Sequence, residues 1–288
     1  MFFKEFSGFL LLTGYASASC LHGTSHLLRR ATPDGGVEVS KFGYTELEGP
    51  LHWAGLSTDN SACAIGTRQS PINMDSSIHT VAEAPQICIP SVESAEFENL
   101  GSTVEVIVNG TATFDGTNYS LKQFHFHTPS EHRIDEEYFP LEMHMVHEAT
   151  APDNSSRIAV VSALFQLTAD GSTTDLITNV TKNLAEIATP GTVTETGPLD
   201  FTSLSAQLTT TPLLQYTGSL TTPPCAEGVM FLVTQKPLPL NVATFNAIKS
   251  VVKFNSRFTQ NELGEPNLLV VAANKLKNVT ASSNGTAS

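Results

Sequence analysis

The stretch that decides the fold is Phe124-His125-Phe126-His127-Thr128-Pro129-Ser130-Glu131-His132, which contains three of the nine histidines of the chain. Successive side chains of a β-strand point to opposite faces of the sheet. His125 and His127 are therefore expected on one face of a strand, and Phe124 and Phe126 on the other face, where they can pack. This pattern predicts a strand that is apolar on one side and carries two imidazoles on the other.

A second strand is predicted at Leu141–His147, where Glu142, His144 and Val146 share one face. If the two strands lie side by side, they bring three imidazoles together. Three histidines with an open fourth position are typical of a catalytic zinc site, whereas structural zinc sites are closed by four protein ligands. The two segments together predict a metal centre built on a β-sheet.

The composition limits the classes of protein that the chain can belong to. It has 288 residues, 40% of them apolar and 15% charged, which suits one large core in a domain of about 250 residues or two small domains. The formal net charge of −13 and the lack of a basic patch argue against nucleic-acid binding. Beyond the first residues, no stretch reaches the roughly 20 apolar residues of a membrane span.

Many short strands and few helices are predicted, which indicates a sheet-dominated single domain with helices on its surface. Alternating segments that read as strands are separated by turns rich in Gly, Pro, Asn and Ser. These segments are Thr103–Val108, Tyr119–His127, Leu141–His147, Ile158–Leu167 and Val229–Leu232. Helical spacing of apolar residues predicts helices at Asp175–Ile187, preceded by the candidate caps Thr173 and Thr174, and at Asn241–Val252.

The two ends and the sequons indicate a secretory protein. Residues 1–19 resemble a signal peptide, with Lys4 before an apolar run and small residues at the end. Residues 275–288 are rich in Asn, Ser, Thr and Ala and are predicted to be a disordered tail without a lipid-anchor signal. Six Asn-x-Ser/Thr sequons are candidate glycosylation sites on the surface of such a protein. They begin at Asn109, Asn118, Asn154, Asn179, Asn278 and Asn284.

The four cysteines fit an oxidising compartment. Cys20 lies at the edge of the predicted cleavage site, and Cys63, Cys88 and Cys225 belong to the body of the chain. One disulfide and one remaining thiol is the simplest count. The spacing alone does not choose the pair.

The spacing His-x-His-x3-Glu has a second interpretation, because it also opens the metal motif of cupins, where the Glu is a ligand. A cupin needs glycines at set distances around the motif and a last histidine far downstream. Here position 138 is Tyr, and His144 follows His127 by only 17 residues. A cupin-type oxygenase would contain iron or manganese and would not respond to aryl sulfonamides.

Five motifs, in this order along the chain, resemble the α-class carbonic anhydrases, and the resemblance spans Lys41 to Ala273. The motifs are Gln69-Ser70-Pro71-Ile72-Asn73, Gln123-Phe124-His125-Phe126-His127, Ser130-Glu131-His132, Glu142-Met143-His144-Met145-Val146-His147 and Gly218-Ser219-Leu220-Thr221-Thr222-Pro223-Pro224. The resemblance implies one domain, mainly β with surface helices, around a large twisted and mostly antiparallel sheet. It also implies a zinc enzyme that interconverts CO2 and bicarbonate.

The resemblance further assigns roles at the metal. It implies that His125, His127 and His144 bind Zn2+, and that Gln123 and Glu142 hydrogen-bond the imidazoles from behind, which fixes tautomer and orientation. Zinc lowers the pKa of a bound water to about 7, and the resulting zinc hydroxide attacks CO2.

Thr221 and Glu131 match the pair that orients this hydroxide. A hydroxyl donates one hydrogen bond, so if Thr221 donates to ionised Glu131, it must accept from the zinc ligand. Tyr44 and Ser102 match positions of the cavity's solvent network. The residues implied for the apolar CO2 pocket are Val146, Val160, Leu220, Thr222, Val229 and Phe231, the last in place of the family's usual Trp.

Two further expectations follow from the resemblance. Cys63 and Cys225 match a pair that many secreted members bridge, which leaves Cys88 as a thiol. Ser102 stands where fast members carry a proton-shuttling histidine, and serine does not titrate near pH 7. The rival interpretation is a non-catalytic carbonic-anhydrase-like binding module, although such relatives lose zinc ligands. The expected protein is secreted and has no membrane anchor. The sequence does not decide its oligomeric state, and a homodimer is one option.

Overall fold

Eleven strands form one large, mostly antiparallel sheet in the computed structural model, which describes residues 35–284 and the burial of side chains as far as Val279. Nine of the strands follow the order β10-β4-β5-β6-β8-β9-β12-β11-β2, while β13 pairs with β9 and β3 with β5. A separate parallel pair joins β1 to β7. The strands are β1 (Asn73–Met74), β2 (His79–Thr80), β3 (Gln86–Cys88), β4 (Glu96–Asn99), β5 (Val104–Phe114), β6 (Thr117–His127), β7 (Arg133–Ile134), β8 (Leu141–Thr150), β9 (Ser156–Leu167), β10 (Val193–Glu195), β11 (Leu213–Ser219), β12 (Glu227–Thr234) and β13 (Leu238–Leu240). The sheet-dominated fold expected from the sequence is confirmed.

The two predicted histidine strands are direct neighbours in the middle of this sheet. β6 and β8 pair antiparallel, and His125 lies opposite His144. Phe124 and Phe126 point away from the histidines into the larger hydrophobic cluster, as do Met143 and Met145 of β8. The period-2 alternation therefore separates an apolar face, which packs under the helices, from a face that carries His125, His127 and His144.

Six helices and three 3-10 turns accompany the strands within residues 35–284. The helices are α1 (Trp53–Leu56), α2 (Ala62–Ile65), α3 (Asp175–Thr181), α4 (Thr202–Thr210), α5 (Val242–Val252) and α6 (Leu268–Asn284). The helix predicted from Asn241 is the best match. The side chain of Asn241 caps α5 by accepting a hydrogen bond from the N–H of Thr244, and α5 ends where Lys253 adopts a φ of +59°. A non-glycine residue at positive φ stops the helical hydrogen-bond pattern.

The helix predicted at Asp175–Ile187 is interrupted. The α-helical part ends at Thr181, and Leu184–Ile187 forms a 3-10 turn after Asn183, whose backbone leaves the α region. The apolar side chains still reach the core from both pieces. The spacing of apolar residues thus predicted which side chains are buried, but it did not predict the break between the two pieces.

A helix is present over most of the segment that the sequence predicts to be a disordered tail, residues 275–288. α6 runs Leu268–Asn284, and the side chain of Asn267 accepts a hydrogen bond from the N–H of Leu269 in its first turn. Once a first turn has formed, each further residue costs little, and Ala, Lys and Leu favour helix. The structure therefore differs from the prediction as far as Asn284, and residues 285–288 lie outside the described part.

The second face of the sheet carries a smaller hydrophobic cluster, and a disulfide lies beside it. Cys63 and Cys225 are bonded across a sequence separation of 162 residues, as the resemblance implies, and both pack with Trp53. Cys225 also donates its N–H to the carbonyl of Thr222 at 2.8 Å. The disulfide therefore fastens the loop that carries Thr221 to the start of the domain. Cys88 is a free and exposed cysteine of the described chain.

Among the helices of residues 35–284, none combines the length and apolar character needed to cross a bilayer. The predicted signal peptide at residues 1–19, with Cys20, lies outside the described residues. Asn109, Asn118, Asn154 and Asn278 are exposed, while Asn179 is half-buried in α3.

Candidate metal centre

Three imidazoles converge on the polar face of β6 and β8. The ring centres of His125 and His127 are 5.1 Å apart, those of His125 and His144 are 5.4 Å apart, and those of His127 and His144 are 4.6 Å apart. One nitrogen from each ring can be chosen so that all three lie within 4.8 Å of one another. The prediction that the two strands bring three histidines together is confirmed, and the group can hold a metal ion.

Hydrogen bonds behind each ring decide which nitrogen faces the centre. Every partner is a carbonyl or carboxylate oxygen, which only accepts, so the ring nitrogen in each bond carries the proton. The bonds join His125 Nδ1 to Gln123 Oε1 (2.8 Å), His127 Nδ1 to the Asn255 carbonyl (2.9 Å) and His144 Nε2 to Glu142 Oε1 (2.7 Å). The lone pairs therefore belong to Nε2 of His125, Nε2 of His127 and Nδ1 of His144.

The environment of His127 passes a test for metal binding. Its Nε2 is buried and has no hydrogen-bond partner, which is costly unless another ligand satisfies it. Burial lowers the pKa of His127 to about 4, although the Asn255 carbonyl and Glu142 oppose this shift. Burial likewise lowers the pKa of His144. Both rings are therefore neutral at pH 7, which is the form that binds a metal ion.

Glu142 holds the back of the centre through several hydrogen bonds. Its Oε1 accepts from His144, from His132 Nδ1 (2.6 Å) and from Ser162 Oγ (2.5 Å), and its Oε2 accepts from the backbone N–H groups of Glu131 (2.7 Å) and His132 (2.9 Å). Burial alone would raise the pKa of Glu142, but His132 and His144 hold it well below its usual range. The ionised carboxylate thus ties β8 to the segment that carries Glu131.

Glu131 lies directly beside the three histidines. Its Oε1 accepts a hydrogen bond from the backbone N–H of Arg257 (2.9 Å), and its Oε2 is 3.5 Å from Nε2 of His127. Burial raises the pKa of Glu131 to about 7, while His144, the Arg257 N–H and the side chain of Thr221 act in the opposite direction. A cation held by the three histidines would favour the ionised form of Glu131.

The cavity above the histidines has an apolar wall and a polar wall. Thr221 belongs to its lining, together with most of the pocket residues expected from the sequence. These are Val146, Val160, Leu220, Thr222 and Phe231. Val229 differs from the expectation, because it is buried in the hydrophobic cluster behind the cavity and does not line it. It lies two residues before Phe231 on the same face of β12, one step further along the strand.

Ser102 and Tyr44 both line the cavity, where the solvent network is expected. Ser102 is largely buried, its Oγ is 2.7 Å from Ser40 Oγ, and its carbonyl accepts from the side chain of Asn255 (3.1 Å). Tyr44 packs edge-on against Trp53, with ring centres 5.6 Å apart. Burial raises the pKa of Tyr44 well above its ordinary value, so Tyr44 is neutral at pH 7.

Two functional groups escaped the sequence analysis. The Asn255 carbonyl orients His127 across 128 residues of sequence. Every residue has a backbone carbonyl, so the sequence cannot indicate which one makes this contact. Glu105 lines the cavity and lies opposite His125 in the β5–β6 pair. Burial, together with Glu98 on β4, raises the pKa of Glu105 well above its usual value. A carboxyl side chain between Val104 and Val106, within a run of valine and isoleucine, was the available signal.

Comparisons with known proteins agree with this geometry. Residues 48–277 match the family model described as eukaryotic-type carbonic anhydrase. A carbonic anhydrase of Pectobacterium atrosepticum is 31% identical over 220 residues, which cover 73% of this chain and 83% of the relative.

Solved structures agree as well. An α-carbonic anhydrase of the fungus Aspergillus oryzae has 44% sequence identity and a TM-score of 0.77, and the match covers 81% of this chain and 99% of that one. An α-carbonic anhydrase of Thermovibrio ammonificans, solved in complex with the inhibitor sulfanilamide, has 31% identity and a TM-score of 0.66, and the match covers 77% of this chain and 96% of that one.

Proposed function

The chain belongs to the eukaryotic-type carbonic anhydrase family and is a carbonic anhydrase. We propose that it hydrates CO2 reversibly at a zinc ion held by His125, His127 and His144. The observation that carries this proposal is the set of three imidazole nitrogens within 4.8 Å of one another, each ring held from behind by an oxygen acceptor. Three neutral nitrogens with a fourth position open suit catalytic zinc. When bound, zinc acts as a Lewis acid that lowers the pKa of a coordinated water to about 7.

Thr221 and Glu131 are proposed to orient the attacking oxygen. Ionised Glu131 can only accept, so it takes the single hydroxyl proton of Thr221. Thr221 must then accept from the attacking oxygen, which leaves a lone pair of that oxygen aimed at the substrate carbon. Glu131 is in turn held by the Arg257 N–H, which positions its carboxylate before the substrate arrives.

The apolar wall is proposed as the CO2 site. CO2 has no net dipole and offers weak hydrogen-bond acceptors, so apolar side chains near the polar centre bind it better than polar ones do. Val146, Val160 and Leu220 supply that wall. Phe231 completes it, and its ring stacks on Tyr216 with centres 5.1 Å apart and planes within 10°. This stacking fixes the shape of the pocket.

A stopped-flow assay of CO2 hydration tests the proposed function. We expect activity from protein with one zinc per chain, loss of activity when a chelator removes the metal, and recovery when zinc is added back. We also expect inhibition by sulfanilamide, the inhibitor in the T. ammonificans structure. A zinc-loaded but inactive protein would instead support the binding-module interpretation, and bound iron or manganese would support the cupin interpretation.

Ser102 predicts a dependence of turnover on buffer. Because serine cannot carry the proton out of the cavity near pH 7, kcat should rise as an imidazole buffer is added at constant pH. In Ser102→His we expect a higher kcat at low buffer and a smaller rise with imidazole. The matched control is Ser250→His, an exposed position on α5, which should behave like the original protein. A kcat that imidazole leaves unchanged in the original protein would refute this idea.

Secretion is proposed from the sequence of the N-terminus and the sequons. The disulfide between Cys63 and Cys225 supports it, because such bonds persist in oxidising compartments. Exposed sequons at Asn109, Asn118 and Asn154 are sterically open to glycans. Intact mass of the protein from culture medium, before and after enzymatic glycan removal, tests both proposals, and an unprocessed, unglycosylated chain would contradict them.

A further inference from the structure

A second recess lies behind the catalytic cavity, on the other side of Tyr44 and Glu131. Its volume is about 500 Å³, which is within the range of small-molecule sites. Tyr44 lines both spaces, and Glu131 belongs to the lining of the recess. We call it the Tyr138 recess, after the aromatic residue at its rim.

Apolar side chains line the Tyr138 recess and remain exposed at its rim. Leu51 is 63% exposed, Tyr138 is 62% exposed and Phe254 is 56% exposed, and Phe258 adds a further ring to the lining. Single exposed apolar residues are common on protein surfaces, but a group of them around one concave site marks a place that takes an apolar ligand. The three aromatic rings favour a flat, aromatic ligand.

One exposed arginine, Arg133, supplies positive charge at this recess. Arg133 is exposed, whereas Arg257 is buried below it. The guanidinium of Arg257 donates to the Ser70 carbonyl (2.7 Å), the Cys63 carbonyl (3.2 Å) and Gln69 Oε1 (2.9 Å), all of which are neutral. Within residues 35–284, no carboxylate forms an ion pair with Arg257. Burial lowers the pKa of Arg257 to about 10, so it stays charged at neutral pH.

Glu131 is the single acidic residue in the lining of this recess, and its carboxyl is directed to the Arg257 N–H and toward His127. The exposed charge in the lining is therefore that of Arg133, on a chain whose net charge is −13. A carboxylate next to aromatic rings matches that combination, because an arginine fork pairs with a carboxylate and the rings accept the apolar part.

The same backbone segment serves both the recess and the catalytic cavity. Phe254, Ser256 and Phe258 face the recess. Between them, the Asn255 carbonyl holds His127 and the Arg257 N–H holds Glu131. A ligand in the recess thus packs on the segment that positions a metal ligand and the partner of Thr221.

We propose that the Tyr138 recess binds a small aromatic carboxylate, with its ring against Tyr138 and Phe254 and its carboxylate paired with Arg133. Binding at this site does not depend on the proposed chemistry at the three histidines. It can therefore be measured separately from activity, and failure of one proposal leaves the other intact.

Calorimetric titration of the zinc-loaded protein with benzoate is the test, with thiocyanate present to saturate the metal. We expect saturable binding of one benzoate per chain. Loss of one charge-assisted hydrogen bond should weaken binding about tenfold or more in Arg133→Gln, and Tyr138→Ala should weaken it to a similar extent. Lys236→Gln, an exposed change of charge away from the recess, should leave the affinity unchanged. Benzamide, the neutral counterpart of benzoate, should bind the original protein at least about tenfold more weakly.

The proposal is overturned by any of three results. These are no saturable benzoate binding, binding that disappears when thiocyanate occupies the metal, or equal affinity for benzamide and benzoate. Arg133 and Tyr138 are both exposed, so their variants should fold, and circular dichroism with a thermal melt checks this.

Discussion

Replacing His144 with alanine is expected to lower the affinity for zinc more than about 100-fold and to abolish measurable CO2 hydration at limiting zinc. Loss of a hydrogen-bonded partner behind a ligand already costs about 10- to 100-fold in metal affinity, and loss of the ligand itself must cost more. His144 is also the sole ligand that β8 supplies to the set. Metal analysis after dialysis against a chelator of known affinity, with stopped-flow assays on the same samples, measures both effects.

Two further variants make the His144 result specific. Glu142→Gln keeps the ligand but weakens its orientation, so its affinity for zinc should lie between those of His144→Ala and the original protein. His79→Ala changes an exposed imidazole and should retain full zinc and full activity. If His144→Ala kept one tightly bound zinc and normal turnover, the assignment of the metal centre would have to be abandoned.

Replacing Thr221 with alanine should lower kcat/KM for CO2 hydration about 100-fold while leaving the zinc content unchanged. The loss corresponds to one preorganised hydrogen bond to the reacting oxygen, for which factors of about 10² to 10³ are typical. The three imidazoles are held by Gln123, the Asn255 carbonyl and Glu142 rather than by Thr221, so metal affinity should not move. Stopped-flow kinetics and metal analysis on one preparation separate the two quantities.

Serine at position 221 distinguishes orientation from packing. Thr221→Ser keeps the hydroxyl and loses a methyl group, so it should retain most of the activity. Thr222→Ala, a change at the neighbouring residue of the cavity lining, should cost only a few-fold. Equal losses in Thr221→Ser and Thr221→Ala would show that the hydroxyl does not orient the attacking oxygen.

The sequence predicts the part of the site that depends only on the geometry within a single strand. Alternation in β6 and β8 is enough to place His125, His127 and His144 on one face, because the period of a strand is fixed by the backbone. Burial of the apolar side chains on one side excludes a slip of the two strands by one residue. It does not choose among slips by two or four residues, so the pairing of His125 with His144 comes from the structure.

The contacts that the sequence does not predict join segments that are distant along the chain. Some are made by backbone groups, which every residue carries and which no sequence pattern marks. The Asn255 carbonyl reaches His127 because residues 253–259 pack beside β6, and every residue has such a carbonyl. The break between Thr181 and Leu184 in the helical segment has a similar origin. Both pieces bury apolar residues, so tertiary packing overrides a continuous helical preference. The Tyr138 recess likewise depends on how three loops meet.

The proposed metal ligands are divided between β6 and β8. Metal binding is therefore linked to the folding of the sheet as well as to the reaction. The unfolded chain separates His127 from His144, so an ion that needs both binds the native sheet and adds its binding free energy to the stability of that sheet. At a free zinc concentration of about 1,000 times the dissociation constant, this linkage contributes about 4 kcal/mol, a large part of the 5–15 kcal/mol typical of a folded domain. For the zinc site proposed above, zinc supply would therefore change the folded fraction of the protein as well as its activity.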